Sequence, residues 1–206
     1  MGHPWKEIAL SDYENHMKLD SVMQLQAMNT MMRRQLDNAA ADAVMILGVA
    51  GGNGLEHIRQ DKWKRVYGVD INPDYLRAVE QRYPELTGIL ECLCVDLTED
   101  VCSLPKAELV IANLLVEYIG YGCFQRIVRQ VEPKEVTCII QINTAEGWVS
   151  DSPYLHVFDG LERIHCQMEE EKLEQAMAEI GYGRIALLEH PLPNGKKLVQ
   201  LDFEKR

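Results

Sequence analysis

Val44-Met45-Ile46-Leu47, running into Gly48-Val49-Ala50-Gly51-Gly52-Asn53-Gly54, is the stretch that decides the fold. Four apolar residues in a row, ending abruptly at glycine, suit a strand buried on both faces. The small residues after it leave the backbone open to close approach. Similar runs at Val66–Val69, Ile89–Val95, Leu109–Ala112 and Val136–Ile142 predict further strands. Leu55–Gln60, Asp74–Tyr83, Ile119–Val131 and Glu169–Ile180 pattern as the intervening helices, the second of them opened by Asn72 as N-cap and Pro73 in its first turn. Strands alternating with helices predict an α/β domain, a Rossmann-like, doubly wound and mostly parallel sheet with helices on both faces. Arg184–Glu189 and Leu198–Phe203, joined through Pro191-Leu192-Pro193-Asn194-Gly195, predict a C-terminal antiparallel hairpin.

Ahead of the first strand lies an N-terminal helical extension, residues 1–43. Ser11-x-x-Glu14 has the pattern of a capping box, and Val22, Leu25, Met28, Met32 and Leu36 recur at helical spacing from about Ser21 to Leu36. The 206 residues are expected to form one domain, with this extension acting as a lid on a core spanning 44–206. Hydrophobic residues at 47% and charged residues at 26% are ordinary for a globular chain. No apolar run reaches the ~18 residues of a membrane span, and the first residues lack a signal-peptide core, so a cytoplasmic location and no membrane partner are expected. The six cysteines sit mostly in apolar runs and show no zinc-site spacing, which predicts no metal. A net charge of −11 without a basic stripe argues against nucleic acid as a partner. A homodimer is left open.

In a doubly wound sheet the ligand sits at the carboxyl ends of the strands. Gly48, Val49, Ala50, Gly51, Gly52, Asn53 and Gly54 follow the first strand there, and a helix beginning at Leu55 would offer its free amides to an anionic group. The second strand ends in Asp70-Ile71, whose carboxylate can accept from both hydroxyls of a ribose. The third ends in Asp96-Leu97, suited to an adenine amine and ring nitrogen, and the fourth in Asn113-Leu114. Four successive strands thus close on Gly, Asp, Asp and Asn at one edge.

This arrangement resembles the class I S-adenosylmethionine-dependent methyltransferases over residues 44 to about 203. The likeness rests on Ile46–Gly54, Asp70, Val95-Asp96-Leu97, Ala112-Asn113-Leu114-Leu115 and the terminal hairpin. It implies S-adenosyl-L-methionine as cofactor and S-adenosyl-L-homocysteine as product; the chain's acidity and size favour a small-molecule acceptor, with protein or RNA left open. The glycine turn then passes the methionine moiety, Asp70 binds ribose and Asp96 meets adenine, with Tyr13 and Met17 of the extension closing the site. The sequence departs from the family pattern where Gly48 stands for the usual acid and Ala50 for the first glycine. Asn53, Asn113 or an N-terminal residue is then expected to supply the missing polar contact. Glu117 is the candidate catalytic carboxylate. His16, Trp148, Tyr154 and His156 are the candidate acceptor contacts, the last three from the long 144–168 connection, whose aromatic surface also includes Phe158 and His165 and which is expected to build the acceptor pocket. Two alternatives stay open: a non-catalytic cofactor-sensing or protein-binding domain of the same fold, and an NAD(P)-dependent oxidoreductase. Against the second, the turn does not fit G-x-G-x-x-G.

Overall fold

A computed structural model describes residues 2–99, 103–143, 147 and 149–206. The chain begins with two helices, α1 (Leu10–Met17) and α2 (Gln24–Asn38). Then follow β1 (Ala43–Leu47), β2 (Arg65–Asp70), α3 (Pro73–Arg82), β3 (Leu90–Cys94), β4 (Leu109–Asn113), α4 (Val116–Val131), β5 (Glu135–Ile142), α5 (Glu170–Ala178), β6 (Tyr182–Pro191) and β7 (Lys197–Lys205). The seven strands form one sheet in the order β3-β2-β1-β4-β5-β7-β6. The first five pair in parallel, while β7 runs antiparallel between β5 and β6. The expected parallel sheet with a terminal hairpin is therefore present, with β7 inserted between its partner and the sheet.

Side chains alternate across the pleat and so divide the core. Val44 and Ile46 face α2 and α3 with Val66, Leu109 and Ile111. Met45 and Leu47 face the other way, into a layer with Phe124, Ile127 and Val131 of α4 and Leu173 and Met177 of α5. Because α3 and α4 lie on opposite faces, the winding direction switches between β1 and β4, where such sheets open a crevice. Among the described residues no helix is long and apolar enough to cross a membrane.

Two local expectations need correction. Leu55–Gln60 does not form an α-helix: only Leu55–His57 make one 3-10 turn. The face that a crossover helix would cover is filled by α2, whose Met32 and Leu36 pack with Leu55, Ile58 and Trp63. A sheet face must be covered by something, and here the helix preceding β1 does it. Ser11 does not cap α1 either, which starts one residue earlier behind Ala9 without a side-chain cap. Glu14 instead pairs with Arg82 of α3. Asn72 behaves as its sequence predicts, accepting the Asp74 amide at 2.9 Å ahead of Pro73. Helix α4 is broken at Gly120 (φ 74°, ψ 161°), so its first turn, carrying Glu117, stands apart from the rest.

Candidate active site

The turn after β1 is held by β2. Gly48 and Val49 both donate to the Val69 carbonyl, at 2.8 and 3.0 Å. The next peptide is fixed by Asp70: its Oδ2 accepts the Ala50 amide and its Oδ1 the Asn72 amide, each at 2.9 Å. Ala50 is thereby kept at φ 47°, a left-handed conformation that L-residues adopt at a cost. Asp70 is only 8% exposed. Burial pushes its carboxyl up, while the amides of Asn72, Ala50 and Ile71 pull it down.

These residues form the floor of a cleft at the carboxyl edge. Gly48, Ala50, Asp70 and Ile71 line it from β1 and β2; Asp96, Leu97, Asn113 and Leu114 line it from the ends of β3 and β4. Its roof is aromatic and comes from the N-terminal extension and α4: Trp5 stacks edge-on against Tyr13 and Tyr118, with centroids 5.9 and 5.0 Å apart. The extension is tied down at three points. Asn72 Nδ2 donates to the Trp5 carbonyl at 2.9 Å, and the Tyr75 hydroxyl donates to the Ile8 carbonyl at 3.0 Å. Arg82 pairs with Glu14 and donates to the Gly51 carbonyl at 2.9 Å.

The other candidate residues are placed differently. Val49, Gly51, Gly52, Asn53 and Gly54 do not line the cleft. Gly52 and Gly54 have φ of 82° and 95°, and a Cβ on Gly54 would stand 2.6 Å from Met32 Sδ. Their smallness is accounted for by backbone conformation and by α2 and α3 passing close. Asn53 ties the turn to α2, donating to the Leu25 carbonyl at 2.9 Å and accepting from Asn29. The Asn113 amide is paired reciprocally with Gln35 at 2.9 Å. Both asparagine heads are thus engaged by α2, and Asn113 also lines the cleft.

A second pocket opens beside the cleft and shares Trp5, Tyr13, Leu114 and Tyr118 with it. Here lie Met17, His16 and Glu117, together with Phe158 and His165. The 144–168 connection thus reaches the site through Val149, Ser150, Phe158 and His165 rather than through Tyr154 and His156. Tyr154 lines neither pocket but packs against the cluster of Ile8, Phe158 and Leu161, and His156 is exposed and paired with Asp159. Trp148 lies outside the described residues. Sequence reasoning missed Trp5 and Tyr118, whose only signal was an aromatic in an unassigned position.

Glu117 is 4% exposed. Its Oε1 accepts the Gln141 amide at 3.2 Å, and its backbone carbonyl accepts the Cys166 amide at 2.7 Å, which holds the connection against α4. Burial pushes its carboxyl up to about 7. Burial also lowers His16 and His165, with Lys196 adding to the effect on both.

No family model matches the chain, and no curated protein matches it. Solved structures do. Magnesium protoporphyrin IX methyltransferase from Synechocystis, crystallised with SAH, is similar over 89% of this chain and 83% of its own at a TM-score of 0.64 and 13% identity. The N-methyltransferase NodS from Bradyrhizobium japonicum covers 91% and is itself 99% covered, at 0.64 and 13%. The chain has the class I methyltransferase fold. The same fold also carries the cyclase SpnF, similar over 89% of this chain and 82% of its own at a TM-score of 0.66 and 9% identity. A class I methyltransferase fold therefore fixes the architecture, and the activity has to be argued from the site.

Proposed function

We propose that the protein is an S-adenosylmethionine-dependent methyltransferase acting on a small molecule. The observation that carries this reading is the cleft at the switch point, where a buried carboxylate, Asp70, faces a turn that carries no more than a methyl group at Gly48 and Ala50. The donor set suits such a cofactor. Asp70 offers a carboxylate for ribose hydroxyls, Asp96 and the Leu97 amide serve an adenine edge, and Ile71, Leu97 and Leu115 give apolar walls. Trp5, Tyr13 and Tyr118 present ring faces and edges to a cleft that would hold a sulfonium, a cation that aromatic groups stabilise.

When bound, the cofactor supplies a methyl group already activated by its sulfonium. What the chain contributes is positioning, which is worth ~7–11 kcal/mol when two reactants are held in line. Within the 1–43 extension, the segment before α2 serves as a lid on the 44–206 core while α2 itself packs on the sheet: Trp5 and Tyr13 cover the cleft, and closing it excludes water from the reacting groups. A small acceptor is favoured by the second pocket, which is bounded by side chains on several elements and continuous with the cleft.

Titration calorimetry with S-adenosylmethionine, S-adenosylhomocysteine and NAD tests the reading. Micromolar binding of the first two, ~7–8 kcal/mol, is expected. Heat with NAD alone would overturn it.

A further inference from the structure

The second pocket contains a polar group that the fold does not explain. Among the described residues Glu117 Oε2 is buried with no hydrogen-bond partner, although Oε1 of the same carboxylate is satisfied by the Gln141 amide. Leaving a buried acceptor unpaired costs about 1–3 kcal/mol, more when it is charged. Folding alone gains nothing from it, since a leucine there would bury its surface at no such cost. Glu117 lines this pocket with five aromatic side chains, Trp5, Tyr13, Tyr118, Phe158 and His165, and with the polar His16, Gln24, Gln141 and Ser150. The aromatic side chains come from the N-terminal extension, α1, α4 and the 144–168 connection, so the surface is assembled by the tertiary fold.

We propose that this pocket holds the methyl acceptor, that the acceptor is a flat aromatic molecule bearing an O–H or N–H on its ring, and that Glu117 Oε2 takes that proton. The proposal rests on the methyltransferase reading. The acceptor's X–H electron pair becomes the new X–C bond to the methyl group. The C–S pair stays on sulfur, leaving a neutral thioether, and the proton ends on Glu117. A carboxyl brought to about 7 is matched to this task, being ionised enough to accept a proton and basic enough to keep it. The titratable groups around it agree. Tyr13, Tyr118 and Tyr121 are all held protonated by burial, as is the Cys138 thiol. His16 and His165 are pushed towards the neutral form. Lys196, which acts on both histidines, is itself lowered to about 8 by burial, and Glu117 is the carboxyl of this cluster brought near neutrality.

Three probes of nearly one shape test this: phenol, aniline and toluene, added to protein labelled with carbon-13 at glutamate side-chain carboxyls. The Glu117 signal is assigned by its absence from Glu117→Gln, in which the amide oxygen can still accept from Gln141. Expected are a Glu117 carboxyl titrating near neutrality, displacement of its signal by phenol and aniline, and about tenfold tighter binding of these two than of toluene. In E117Q that preference should fall to within about twofold. Equal affinities of wild-type protein for all three overturn the proposal, as does a Glu117 signal that the probes leave unmoved. If E117Q does not fold, the wild-type comparison decides alone. Calorimetry with S-adenosylhomocysteine on the same samples separates the two readings. Lost cofactor binding in wild-type protein rejects the methyltransferase, whereas retained binding with no probe discrimination rejects only the acceptor site.

Discussion

Asp70 and Ala50 are joined across the turn by one hydrogen bond, 2.9 Å from the Ala50 amide to Oδ2, and Ala50 at its other end is left-handed. The carboxylate best placed for a ribose is therefore also the clamp that shapes the turn beside it. Replacing Asp70 with alanine removes the partner of two amides, those of Ala50 and Asn72. Ligand-free stability should fall by about 2–4 kcal/mol, and Asp70→Asn, which keeps one acceptor, should lose about half of that. Urea denaturation of the three proteins measures it; an unchanged midpoint for D70A would show that the clamp is not needed.

Ala50 itself gives the converse prediction. At φ 47° its Cβ crowds the following carbonyl, a conformation costing roughly 1–2 kcal/mol that glycine adopts freely. Glycine also loses more entropy on folding, which offsets part of the gain. Ala50→Gly should raise the unfolding free energy by up to about 1 kcal/mol, read by the same denaturation.

Gly54 is small for the sake of the fold. With φ at 95° and Met32 Sδ 2.6 Å from where a Cβ would sit, Gly54→Ala should cost about 2–3 kcal/mol. Because Gly54 does not line the cleft, the folded fraction should bind S-adenosylhomocysteine with affinity unchanged within about threefold. Calorimetry below the melting point checks this, and a selective loss of affinity would put Gly54 in the site.

Arg82 links the lid to the glycine turn through Glu14 and the Gly51 carbonyl. Both partners of the ion pair are partly exposed, so Arg82→Ala should cost no more than about 1 kcal/mol globally. Local opening is another matter. Amide exchange in residues 2–17 should quicken in R82A, and in wild-type protein it should slow when S-adenosylhomocysteine binds. Identical exchange with and without that ligand would reject the lid.

Glu117 makes stability depend on pH in an unusual direction. A carboxyl raised from 4.5 to about 7 holds its proton in the folded state after the unfolded chain has lost it. The folded protein binds more protons across that interval, so stability falls as pH rises from about 4.5 to 7, by an amount on the order of 3 kcal/mol. Glu117→Gln cannot ionise. It should match wild type near pH 4 and exceed it above pH 7, in thermal denaturation run across the range.

Much of the fold was legible in the sequence because the signals are local. A four-residue apolar run ending at Gly48, an N-cap at Asn72 with Pro73 behind it, and a turn at Asn194-Gly195 each specify backbone geometry within a few residues. Parallel strands buried on both faces announce themselves by continuous hydrophobicity, and their carboxyl ends locate the cleft, as Gly48, Asp70, Asp96 and Leu114 show. What depends on distant partners was not legible. The glycines read as a ligand-binding turn serve partly to admit Met32 of α2 and Tyr83 at the end of α3. Asn53 and Asn113 looked free as sequence and are tied to α2, and the helix expected after Gly54 yields to α2 because burial against the sheet outweighs local propensity. The aromatic roof joins Trp5 to Tyr118, and the burial that leaves Glu117 with one unpaired oxygen is supplied by segments remote in the chain. Composition places a carboxylate after β4; only tertiary packing removes the water around it and thereby sets its chemistry.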